Sequence, residues 1–150
     1  MPTDLLFIYG TLLPVFKNEY AEWLKKHSLK LCDGYMPGIL FLVDTYPGAV
    51  YFIDSKKSVK GIIVKMNDPQ KVLNYLDRYE ETGKAYAKPN EYIREEINVY
   101  CGNKANDKLK CWVYLYNLEY SHLKEIESGD FVKYTIDKTQ SLQNSHVPIK

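Results

Sequence analysis

The strongest constraint on the fold is a series of short apolar segments between residues 29 and 65, each cut off by turn-forming residues. Residues 29–36, 39–43, 49–53 and 59–65 have strand length and strand composition, with Gly34, Pro37-Gly38, Pro47-Gly48 and Asp54-Ser55 as the turns between them. Residues 92–100 and 109–116 read as two further strands; in the first, Ile93, Glu95, Ile97 and Val99 alternate onto one side. Ahead of all these, Leu5-Leu6-Phe7-Ile8-Tyr9 is a continuous apolar run that stops at Gly10, the pattern of a strand buried on both faces. Two segments have helical period. Residues 18–27 place Tyr20, Trp23, Leu24 and His27 on one face behind a possible Asn18 cap, and Asp68-Pro69 opens a second helix that runs to about residue 81, before Gly83. About seven strands and two main helices predict an α+β domain built on a small mixed β-barrel or a strongly curled sheet. Residues after Leu118 read as short turns around Ser128-Gly129-Asp130, so residues 1–138 form the expected domain and 139–150 a polar tail.

Composition narrows the class of function. The 150 residues have the usual size of one domain, and 20 Lys+Arg against 19 Asp+Glu leave a net charge of +1. A nucleic-acid partner would call for a basic excess, and none is present. No apolar run approaches a membrane span. The start Met1-Pro2-Thr3-Asp4 is acidic where a signal peptide is basic, so a cytoplasmic location is expected. Cys32, Cys101 and Cys111 lack a Cys-x-x-Cys spacing, and His27, His122 and His146 are scattered, so no metal site is expected. Cys101 and Cys111 can face each other across a hairpin whose turn spans residues 102–107; in a reducing compartment the cysteines are expected as free thiols.

Two features point to a site. On a wheel of about 100° per residue, Tyr75, Tyr79, Val72, Leu76 and Leu73 fill one arc of the second helix. Gln70, Lys71, Asn74, Asp77, Arg78 and Glu81 fill the other, and Glu80 alone among the charged residues falls inside the apolar arc. Such a carboxylate can fray out at the helix end, pair with a cation (Arg94 and Lys65 are candidates), or line a pocket with a raised pKa, as a general acid/base requires. The second feature is the turn at Gly10-Thr11-Leu12 directly after the buried strand, whose successive N–H groups can hold a carboxylate or an oxyanion. The 14 tyrosines fit either half-buried strand positions or a polar pocket with rigid, hydroxyl-tipped walls.

These segments resemble, in order along the chain, the γ-glutamylcyclotransferase-like superfamily, in particular its γ-glutamylamine cyclotransferase and AIG2-like branch. Phe7-Ile8-Tyr9-Gly10-Thr11-Leu12 is similar to the family's Tyr-Gly-Ser/Thr-Leu loop. Tyr46-Pro47-Gly48, Val59-Lys60-Gly61 and Tyr92-Ile93-Arg94 match its Tyr-Pro-Gly/Ala, V-x-G and Tyr-x-Arg segments. Leu76-Asp77-Arg78-Tyr79-Glu80 matches Leu-Asp-x-x-Glu, whose last residue is the family's acid/base, and Trp112 to Tyr116 and Ile126 to Phe131 complete the series. One departure stands beside the acid/base: Glu81 occupies a position that is commonly Gly.

The resemblance implies an intramolecular acyl transfer that needs no cofactor or metal. The α-amine of a γ-glutamyl compound attacks its own γ-carbonyl, giving 5-oxoproline and a free amine or amino acid. Glu80 is the implied acid/base. Gly10, Thr11 and Leu12 are implied to anchor the γ-glutamyl group or its oxyanion, Tyr9, Tyr46 and Tyr114 to form the walls, and Arg94 to buttress the site. A γ-glutamylamine is the preferred substrate and a γ-glutamyl-amino acid the second choice. The alternative is a small-molecule-binding module of the same fold without turnover.

Overall fold

The computed structural model describes residues 2–86, 88–102 and 107–145, with side chains described as far as residue 140. Its elements, in chain order, are β1 (Leu5–Ile8), α1 (Glu19–Lys26), β2 (Ser28–Leu42), β3 (Pro47–Tyr51), β4 (Ser58–Met66), α2 (Pro69–Tyr79), β5 (Tyr92–Cys101), β6 (Lys108–Tyr116), β7 (Lys124–Glu125) and α3 (Phe131–Ser145). Strands run β3-β2-β4-β1-β6-β5, and β5 returns to β2 through Gly34↔Cys101 and Tyr35↔Tyr100. Five strands, β2-β4-β1-β6-β5, thus close a barrel, with β3 and β7 added beside β2. The barrel is mixed, because β1 pairs antiparallel with β4 and parallel with β6. The architecture is the expected α+β barrel.

β1 has apolar residues on both faces because it separates two cores. Phe7 and Tyr9 point into the barrel with Met36, Leu40, Val59, Ile63, Val99 and Val113. Leu6 and Ile8 point outward with Ile62, Val64 and Met66 of β4, against Leu24 of α1 and Val72, Leu73 and Leu76 of α2. The α2 arc anticipated from its period is the buried one, with Val72 and Leu76 fully enclosed. Asp68 accepts from the Lys71 N–H at 3.3 Å and Pro69 stands in the first turn, as an N-terminal cap and stop require. α1 is capped by Asn18, which accepts from the Ala21 N–H at 2.8 Å.

Four expectations are corrected. Pro37-Gly38 does not separate two strands; it lies inside the 15-residue β2, at the point where β2 exchanges β4 for β3 as its partner. A Cβ on Gly38 would sit 2.2 Å from the Val50 carbonyl oxygen, so the glycine permits a close strand approach and not a turn. The residues after Gly129 form the helix α3, not short turns; Asp130 Oδ1 accepts from the Lys133 N–H at 3.1 Å and Phe131 anchors the start in the core. The sequence past Phe131 is too polar to show a helical apolar stripe, and α3 carries the expected tail on to residue 145, with 146–150 outside the described residues. Cys101 does not face Cys111, which pairs with Ile97 in the β5–β6 ladder. Instead Cys101 is joined by a disulfide to Cys32, at the seam where β5 closes onto β2, in place of the free thiols expected there. Cys111 is the free cysteine, buried, and burial pushes its thiol up to about 12. Of the anticipated turn at 102–107, residues 103–106 lie outside the described residues.

Candidate active site

β1 ends at the mouth of the barrel, and the chain turns there through Gly10-Thr11-Leu12, closed by a bond from the Leu13 N–H to the Gly10 carbonyl (3.0 Å). A Cβ on Gly10 would meet Pro47 Cγ at 2.7 Å, so the absence of a side chain lets this turn pack against the first residue of β3. The C-terminus of α2 reaches the same place. Between them lies a cavity of about 400 Å³, whose wall includes Tyr9, Gly10, Thr11, Leu12, Tyr46, Tyr79, Glu80, Glu81, Glu91, Tyr92 and Tyr114.

Tyrosine hydroxyls fix the walls. Tyr9 donates to the Tyr114 carbonyl (2.6 Å) and accepts from the Ala49 N–H (3.2 Å), tying β1 to β6 and β3. Tyr92 donates to the Pro47 carbonyl (2.7 Å), and Tyr46 donates to Glu91 Oε1 (2.6 Å). The Thr11 and Tyr79 hydroxyls are 2.8 Å apart, joining the loop to α2, and Asn18 Nδ2 donates to the Thr11 carbonyl (2.9 Å). Burial raises the pKa of Tyr9, Tyr92 and Tyr114, so all three stay protonated donors. The amides of Gly10, Thr11 and Leu12 make no hydrogen bond to another described residue. Gly10 and Leu12 are buried, and buried N–H groups need an acceptor from some source.

Glu80 is the C-terminal cap residue of α2, its N–H bonded to the Leu76 carbonyl at 2.8 Å. Its side chain lines the cavity, and no hydrogen bond or ion pair with another described residue reaches its carboxylate. Burial, followed by the nearby charges of Glu91 and Asp77, pushes its pKa up to about 8. Neither proposed cation serves it. Lys65 lies 3.8 Å from Asp4, and Arg94 is committed to Asp77 through Nε (2.8 Å) and Nη2 (3.0 Å). Asp77 also accepts from the Tyr114 hydroxyl at 2.7 Å, and the Arg94 guanidinium covers the Trp112 ring at 4.5 Å.

The structure thus brings seven of the eight residues singled out from the sequence, Glu80, Tyr9, Gly10, Thr11, Leu12, Tyr46 and Tyr114, around one cavity. Arg94 is not in its wall; it reaches the site through Asp77 and Tyr114. Sequence reasoning passed over Tyr79 and Tyr92, although both stood inside the matched segments. Glu91 was also missed, and its only signal is its place next to Tyr92. Glu81, noted as a departure, lines the cavity with φ of 51°, the left-handed region that a glycine adopts without strain.

No helix among the described residues is long and apolar enough to cross a membrane. No curated protein sequence matches the chain. Solved structures of similar fold include YkqA from Bacillus subtilis, 18% identical over 93% of this chain with a TM-score of 0.67. The chain spans 43% of that protein. An AIG2-like protein from Mus musculus is 23% identical, with 83% of this chain and 86% of that one aligned at a TM-score of 0.63. YtfP from Escherichia coli is 25% identical over 87% of this chain and 98% of its own, with a TM-score of 0.58. The family model for gamma-glutamyl cyclotransferase, AIG2-like, matches residues 6–133, from within β1 to the start of α3. With α1, α2, nearly all of the barrel and every cavity residue inside that match, the chain belongs to the gamma-glutamyl cyclotransferase, AIG2-like family.

Proposed function

We propose that the protein is a cyclotransferase that releases an amine from a γ-glutamylamine with formation of 5-oxoproline, and that Glu80 is its general acid/base. The observation that carries this reading is an uncompensated carboxyl group with a pKa near 8 in the wall of a cavity. Such a group takes up and gives back a proton close to neutral pH, which is the requirement for both halves of the reaction.

The γ-glutamyl half brings one carboxylate and one ammonium. The Gly10, Thr11 and Leu12 amides take the α-carboxylate, and Glu80 takes a proton from the α-ammonium. The freed amine forms a C–N bond to the γ-carbonyl carbon, closing the five-membered ring. The bond from that carbon to the leaving nitrogen then breaks as Glu80 passes it a proton. Holding the chain bent for attack is itself worth several orders of magnitude in rate, and the fixed tyrosine walls suit that task. The nucleophile belongs to the substrate, so the residues of the protein need only position groups and move protons.

The test is to measure amine and 5-oxoproline together after incubation with a γ-glutamylamine, using Glu80→Gln as the control. Equal yields of the two products, lost in the variant, are expected. Binding of the γ-glutamylamine with no product from the parent protein would indicate a binding module instead.

A further inference from the structure

The cavity carries more negative charge than the γ-glutamyl group can answer. That group is neutral overall, its carboxylate met by loop amides and its ammonium by Glu80. Glu81 and Glu91 remain, and no Lys or Arg among the described residues belongs to the wall. Among the described residues no ion pair reaches either carboxylate, and the only hydrogen bond on their side chains is the one from Tyr46 to Glu91. Glu91 stands close enough to Glu80 to be the largest charge acting on it. Glu81 holds its place at a backbone angle that costs a non-glycine residue free energy. A wall of this sign attracts a cationic leaving group and repels one that ends in a carboxylate.

Resting on the cyclotransferase reading, we propose that Glu81 and Glu91 are specificity-determining residues. They select γ-glutamyl derivatives of a diamine or polyamine, whose second ammonium the two carboxylates receive. The chemistry of the reaction is unchanged. The choice among leaving groups is what these residues add, and a leaving amino acid with a free carboxylate is the disfavoured class.

Three probes of similar size test this: the mono-γ-glutamyl amides of 1,4-diaminobutane, of n-pentylamine and of 4-aminobutanoate. They place an ammonium, a methyl group and a carboxylate at the far end of chains of four, four and three methylenes. In the parent protein kcat/KM is expected to fall in that order, with at least tenfold between the first two. Added salt should narrow the gap, as screening requires. In Glu81→Gln/Glu91→Gln the ratio of the first two is expected to fall below threefold. Glu81→Gly should lower the ratio as well, and it relieves backbone strain, so misfolding does not confuse its result. Equal use of the three probes, or a ratio that survives the double substitution, overturns the proposal while leaving the cyclotransferase reading intact. No 5-oxoproline from any probe overturns both.

Discussion

Asp77 and Glu80 stand one turn apart on α2, and the protein treats their charges in opposite ways. Asp77 is paired in two directions, with Arg94 bidentate on one side and the Tyr114 hydroxyl on the other. Arg94 is in turn held over Trp112. Glu80 has no such partner among the described residues, faces a cavity, and feels two further carboxylates. The same residue class at neighbouring positions therefore does two jobs. A compensated carboxylate ties α2 to β5 and β6, and an uncompensated one keeps a proton available near neutral pH. On the proposed function, Glu80 is the carboxyl group left unsatisfied for reaction, and the paired Asp77 beside it holds the frame steady.

The contrast can be broken first at Glu80. We predict that Glu80→Gln folds as the parent does and loses turnover by about a thousandfold, within the usual range for a positioned acid/base. Stability should carry the same signature. The folded pKa of Glu80 lies above its unfolded value of 4.5, so between about pH 4.5 and 8 the folded state holds a proton that the unfolded state has released. Stability contributed this way is present below pH 4.5 and lost as pH rises through 8. Denaturant titrations across that range should show the loss in the parent and not in Glu80→Gln.

The paired side should respond differently. Arg94→Leu is predicted to destabilise the fold by about 2 kcal/mol, since it strands the half-buried Asp77 carboxylate. Its denaturation midpoint should fall whether or not substrate is present. An equally stable variant would mean that the pair is ornamental and would dissolve the comparison.

A third change acts between the two. On the acid side, kcat/KM should fall below about pH 8, as Glu80 in the free enzyme becomes protonated and ceases to be a base. Glu91→Gln removes the largest like charge acting on Glu80, so this limb should move to lower pH, measured as kcat/KM against pH. An unmoved limb would show that the Glu91 charge does not set the proton affinity. The smallest effect is expected at Glu81, where Glu81→Gly should stabilise the fold by no more than about 1 kcal/mol by relieving a positive φ.

Much of this was legible before any coordinates. The two-faced apolar run at residues 5–9 marked the strand between two cores, and the helical wheel isolated Glu80 without reference to tertiary structure. What escaped the sequence was long-range pairing. Nothing local distinguishes a Pro-Gly turn from a Pro-Gly step inside one long strand; β3 and β4 decide it. The partner of Cys101 lies 69 residues away and depends on barrel closure. Arg94 was one of two cations named as partners for Glu80, and the resemblance implied that it buttresses the site; Asp77 is the carboxylate that holds it. Glu91 is an ordinary polar residue in a loop until the Tyr46 hydroxyl and the cavity are found beside it.

The most direct test of the contrast is to follow the glutamate side-chain carboxyl carbons by ¹³C NMR through a pH titration, assigning Glu80 by its loss in Glu80→Gln. A Glu80 signal that titrates near pH 8 is the expected result. A midpoint near the ordinary 4.5 would mean that the carboxylate is compensated in solution, and the account of Glu80 as the acid/base of this cavity would fail.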